Sequence, residues 1–85
     1  MITILFFASI REVLGINREQ FSISTLAHAD VASLIAHLRL RNAAFSDALA
    51  PTSNYRVAVN QVMANPQTAI SNGDEVAFFP PVTGG

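Results

Sequence analysis

The chain has 85 residues, enough for one small domain, and is apolar, with 51% hydrophobic and only 13% charged residues. A net charge of −1 and no basic cluster exclude a nucleic-acid footprint, which needs densely packed lysine and arginine. There is no cysteine and no lysine, which removes disulfides, thiolate nucleophiles, cysteine metal sites and self-attachment through a lysine amine.

Met1 to Ile10 is apolar but too short to span a bilayer, and it lacks the basic start of a signal peptide. The expected location is therefore the cytoplasm, with no membrane partner. Ile2 to Ala8 reads as a strand. Its unbroken apolar run suits a strand covered on both faces or a central strand, with Ile2, Ile4 and Phe6 pointing one way and Thr3, Leu5 and Phe7 the other. Ser9 is expected to cap a helical turn that ends at Gly15. Asn17 to Ser24 reads as a half-buried strand, antiparallel to the first.

Asp30 is the expected N-cap of a helix whose apolar face is Val31, Leu34, Ile35 and Leu38. Arg39 and Arg41 are expected in its last turn, where cations suit the dipole, and Asn42 is expected to stop it. Ala43 to Leu49 adds a short helical piece before Pro51. Val57 and Val59 mark a third strand, and Asn60-Gln61 a tight turn into Val62-Met63-Ala64, which Asn65-Pro66 breaks. Ile70 is a core plug before the Asn72-Gly73 turn, and Glu75 to Phe79 is the last strand. A hairpin, one main helix across a sheet and later strands make an α+β roll. So small and apolar a domain is also expected to leave apolar surface for a partner.

No catalytic constellation lies inside the chain. His28 and His37 form no metal motif and read as surface or boundary residues, and no metal site is expected. Asp74 and Glu75 are strand neighbours that face opposite sides, so they cannot converge on one substrate atom. The pair reads as a solvated turn or as a contact to a partner's arginine. Gly84-Gly85 is a tip slender enough to thread a narrow channel, and its carboxylate is the one functional group left. That carboxylate is ionised at neutral pH and needs activation by another protein before it can react. Pro80-Pro81 ends the last strand and favours an extended spacer, giving Pro80, Pro81, Val82, Thr83, Gly84 and Gly85 a reach of roughly 18–20 Å. The domain is thus expected to cover residues 1–79 and the tail residues 80–85. The tail is expected to be mobile, since nothing before Gly85 packs it down.

The run Gly73-Asp74-Glu75-Val76-Ala77-Phe78-Phe79-Pro80-Pro81-Val82-Thr83-Gly84-Gly85 resembles the C-terminal signature of the small, sulfur-carrying subunit family of molybdopterin synthase. Leu5-Phe6-Phe7-Ala8 with Arg11-Glu12, and Ala58-Val59-Asn60-Gln61, agree with it in order along the chain. The resemblance implies the β-grasp, or ubiquitin-like, fold, with the first and last strands side by side at the sheet centre. It implies that an ATP-dependent activating enzyme adenylates Gly85. A sulfur donor protein then converts it to a thiocarboxylate, a C-terminal thioglycine. The tail next enters the large, catalytic subunit, where the sulfur builds the dithiolene of molybdopterin from the cyclic pterin precursor. No permanently bound cofactor and a 2:2 heterotetramer are implied as well. Phe7, Met63 and Phe79 are either core residues or a docking face, and the resemblance favours docking against the large subunit. Carriers for thiazole synthesis or tRNA thiolation share the Gly-Gly end and the fold, but the Phe-Phe-Pro-Pro-Val-Thr approach favours molybdopterin. A protein modifier or a passive binding module is the remaining alternative.

Overall fold

A computed structural model describes residues 1–81. Val82, Thr83, Gly84 and Gly85, and with them the expected mobility of the tail, lie outside the described residues. Among the described residues the elements are β1 (Ile2–Phe6), α1 (Ala8–Leu14), β2 (Arg18–Phe21), a 3₁₀ turn (Ile23–Thr25), α2 (Val31–Arg39), α3 (Ala43–Ala48), β3 (Arg56–Val59), β4 (Val62–Met63) and β5 (Glu75–Phe79).

The strands form one mixed sheet in the order β2-β1-β5-β3-β4. β1 and β5 run parallel, with Thr3 opposite Glu75 and Phe6 opposite Phe78. β2 is antiparallel to β1, and β3 is antiparallel to β5. The expected α+β roll with its first and last strands side by side is the observed architecture. β1 is central rather than covered on both faces. Its alternate residues Ile2, Ile4 and Phe6 are buried, while Thr3 and Leu5 are only partly covered.

The core lies between that face and the helices. Val76 and Phe78 from β5 and Val57 and Val59 from β3 meet Val31, Leu34 and Leu38 of α2, with Phe45, Leu49 and Ile70 closing the edges. Phe6 stacks on Phe78 at 5.6 Å between ring centroids, and Phe45 meets Phe6 edge-on at 6.0 Å. These offset and edge-to-face arrangements match the ring quadrupoles.

The helix caps are where sequence expectation and structure part. Asp30 Oδ1 accepts from the Ser33 amide at 2.8 Å, as expected of an N-cap. Asn42 does not stop α2. Its side chain caps α3, accepting from the Phe45 amide at 3.0 Å, and α2 ends at Leu40. Arg41 therefore lies beyond the last turn. Its guanidinium instead grips both carboxylate oxygens of Glu19 and lies 5.1 Å from the centroid of Phe45. Ser9 does not cap α1. Phe7 occupies that position with no side-chain cap, because its amide continues the β1·β5 ladder to the Phe78 carbonyl at 3.0 Å. The second strand ends at Phe21 rather than Ser24. There the Thr25 hydroxyl donates to the Ser22 carbonyl at 2.9 Å and turns the chain, a local bond that competes with the ladder.

Candidate functional site

Strand alternation places Leu5, Ala77 and Phe79 on the sheet face opposite the helices. Ala58 and Ala77 are register partners there, and their short side chains leave a floor without bulk. Leu5, Phe7, Met63 and Phe79 rise around it, so the face forms a shallow hollow of about 480 Å³. The three residues singled out from sequence are thereby brought together. Phe7 is 43% exposed and Met63 60% exposed, so core packing does not account for either. Phe79 is half-buried.

Each rim residue is fixed by its own local device. Phe7 is held extended by its bond to Phe78, and the chain then enters α1 through Ala8 at φ +50°, a left-handed conformation that costs an L-residue about 1 kcal/mol. Ala8→Gly is expected to remove that cost, with a net gain of up to about 0.5 kcal/mol after glycine's greater chain entropy of about 0.5–1 kcal/mol. Thermal unfolding should show the midpoint rising by up to about 3 °C; a fall would mean that the left-handed turn is not strained.

Met63 is set by the Asn60–Gln61 turn, whose residues both have positive φ, 52° and 67°, the twist that joins antiparallel strands tightly. Asn60 ties this turn to β5: its amide donates to the Glu75 carbonyl at 2.8 Å, and its side-chain oxygen accepts from the Glu75 amide at 3.0 Å.

Asp74 accepts from Asn60 Nδ2 at 3.0 Å and from the Ser71 amide at 2.8 Å. The Asn60 bond, then the Ser71 bond, lowers its pKa. Asp74 is thus a strut of the turn, while Glu75 lies beside the hollow, so the two carboxylates are separated as strand parity requires. Asp30 is lowered too, first by the Ser33 amide. Both pKa values are depressed on folding. The stability these groups contribute is therefore complete above the unfolded value of about 4 and is lost as pH falls through the folded values. Asp30→Asn with Asp74→Asn is expected to start less stable at pH 6 but to lose less between pH 5 and 2.5, as urea midpoints across that range would reveal. A slope equal to the parent's would remove these two carboxylates from the acid limb.

The histidines and Tyr55 lie away from the hollow. His37 lies edge-on to Phe21 at 5.2 Å, and His28 is exposed. Burial raises the Tyr55 pKa, and its hydroxyl donates to the Leu49 carbonyl at 3.1 Å. The first amides of α2 are taken as well: Val31 donates to the Thr68 carbonyl at 3.0 Å and Ala32 to that of Pro66 at 2.9 Å, so this helix end does not present free donors to an anion. Among the described residues no group of three or more histidine or acidic residues could hold a metal, and no helix is long and apolar enough to cross a membrane.

β5 ends at Phe79, on the rim of the hollow, and Pro80 and Pro81 follow, both half-buried. Pro80 and Pro81 therefore leave the sheet at the edge of the open face. Sequence reading missed Leu5, Ala58, Ala77 and Gln61 in this hollow. The usable signal was parity: Leu5 and Ala77 are two residues before Phe7 and Phe79 in the same strands.

The profile of the ThiS family matches residues 4–85. The molybdopterin synthase sulfur carrier subunit of Escherichia coli is 44% identical over 88 residues, and that of Haemophilus influenzae 38% identical over 85, each alignment covering all of both chains. Among solved structures, the crystal structure of SAMP1 from Haloferax volcanii superposes with a TM-score of 0.71 at 27% identity, covering 99% of this chain and 98% of that one. A protein-protein complex of subunits 1 and 2 of molybdopterin-converting factor from Helicobacter pylori contains a chain that matches at a TM-score of 0.68 and 21% identity, covering 99% and 97%. Matched from its first strand through its tail, and over the full length of these carrier subunits, the chain belongs to the ThiS family.

Proposed function

We propose that this protein is the sulfur carrier subunit of molybdopterin synthase. The observation that carries the reading is its end-to-end identity with proteins of that name. The geometry supports it: an open apolar face borders the end of β5, and among the described residues no buried side-chain polar atom is left without a hydrogen-bond partner. In this reading the Gly85 carboxylate attacks the α-phosphorus of ATP on an activating enzyme and releases pyrophosphate. The acyl-adenylate so formed is a strong electrophile. The outer sulfur of a donor protein's persulfide displaces AMP, and a thiol then cleaves the sulfur–sulfur bond to leave the thiocarboxylate. Phe7, Met63 and Phe79 dock on the large subunit, and Pro80, Pro81, Val82, Thr83 and Gly84 thread its pocket. There the thiocarboxylate sulfur attacks a carbon of the cyclic pterin precursor and displaces an oxygen leaving group; water then cleaves the acyl–sulfur bond, leaving the sulfur on the pterin and the carboxylate on Gly85.

The groups that bind the pterin belong to the large subunit, so this chain acts as a sulfurtransferase only within the assembly, a cytoplasmic 2:2 heterotetramer. The test is intact mass after incubation with a molybdopterin-type activating enzyme, ATP and a persulfide donor. A gain equal to one sulfur for one oxygen, followed by dithiolene formation with the large subunit and precursor, is expected. Thiocarboxylate that serves only thiazole or tRNA thiolation would replace this reading with another carrier pathway.

A further inference from the structure

The open face carries charge at its flanks that the apolar hollow does not explain. On one side Arg18 of β2 is the register partner of Leu5. On the other, Arg56 of β3 is the partner of Phe79. Both arginines are exposed, and among the described residues neither has an ion-pair partner; the ion pair seen there joins Arg41 to Glu19. Three strand spacings and one two-residue step separate them, about 16 Å between Cα atoms. Glu75 shares the face and stands opposite Thr3, two residue pairs from Leu5 along the β1·β5 ladder.

A guanidinium is a planar fork that engages a carboxylate through two parallel hydrogen bonds, so an exposed arginine beside an apolar hollow is matched by an acidic side chain. We propose that the partner covering this face is a protein surface with an apolar centre and an acidic side chain on each side of it, one meeting Arg18 and one meeting Arg56. This rests on the docking of the same face given above and adds what selects the partner. The apolar centre supplies most of the affinity. The two arginines steer the encounter and fix its orientation, since charges at an interface edge act mainly on association rate and partner choice.

The test measures association of the large subunit with the full chain, its R18E, R56E and double variants, and Phe79→Arg, at several salt concentrations. Each charge reversal is expected to slow association about tenfold at low salt, with a smaller effect at high salt and an unchanged unfolding midpoint. A lysine at either site should restore the association rate, which depends on charge, but leave dissociation faster than with arginine, which engages a carboxylate through two bonds. If charge reversal leaves rate and salt dependence unaltered while Phe79→Arg abolishes binding, the docking face stands and the acidic partner surface is overturned. If Phe79→Arg also binds normally, the docking reading itself fails. Self-association of the chain that R18E and R56E abolish would assign the face to a second copy and overturn the proposal.

Discussion

A chain extended by one residue beyond Gly85 is expected to deliver no sulfur. Its fold should be unchanged, because β5 ends at Phe79, six residues before Gly85, and the core partners of that strand lie in β1, β3 and the helices. Its docking should persist as well, because the face around Phe7, Met63 and Phe79 is untouched. Only the chemistry is lost. The added residue moves the reactive carboxylate off a side-chain-free position, where a narrow channel admits glycine and little else. Deletion of Gly85 should have the same effect by shortening the reach by about 3.5 Å. Intact mass after activation is the direct measure, and the expected loss is complete. A normal sulfur-for-oxygen gain on the extended chain would show that Gly85 is not the carrier atom's seat.

Phe78→Ala is expected to destabilise the domain by about 3–5 kcal/mol, the range for removing a buried aromatic ring. An 85-residue domain has roughly 4–13 kcal/mol in total, so the variant should sit close to its unfolding threshold at 37 °C. The magnitude is large because Phe78 has no solvent exposure and sits where three elements meet: it stacks on Phe6, contacts the Tyr55 ring at 6.1 Å and shares the core with α2. Phe79→Ala, one residue on, is expected to cost under about 1 kcal/mol, because Phe79 points to the open face. Urea unfolding of the two variants side by side measures the contrast. Equal losses would mean that the two sheet faces are not distinguished as described.

Much of this architecture was legible before any coordinates. Alternation in Ile2–Phe6 and the i, i+3, i+4, i+7 pattern from Val31 give the two sides of the core directly. Turn chemistry at Asn60-Gln61 and Asn72-Gly73 gives the hairpin and the approach to β5. The errors arose where one residue type serves two structural purposes. Asn42 is a good helix stop and a good helix cap, and only the position of Phe45 decides between them. Ser9 looks like a cap, but a ladder bond at Phe7 carries the strand into the helix before Ser9 is reached. Arg41 suits a helix dipole, yet Glu19, 22 residues away, captures it. These are long-range effects that periodicity does not register. The site was legible in part: parity united Phe7 with Phe79, whereas Arg18 and Arg56 became visible as neighbours of the hollow only through strand register.

The parallel pairing of β1 with β5 has a consequence for synthesis. Thr3 and Glu75 are nearly the whole domain apart in sequence, yet they are direct neighbours in the sheet. β5 also separates β1 from β3, so the emerging polypeptide lacks its central strand until that segment has left the ribosome. Folding then waits on the closing of a very long loop, a slow step for such a topology. A product truncated before Glu75 would leave Phe6 without its stacking partner and β1 and β3 without their shared neighbour. Such a fragment lacks Ala77 and Phe79 as well, so the apolar hollow on the open face does not form until the last strand is in place.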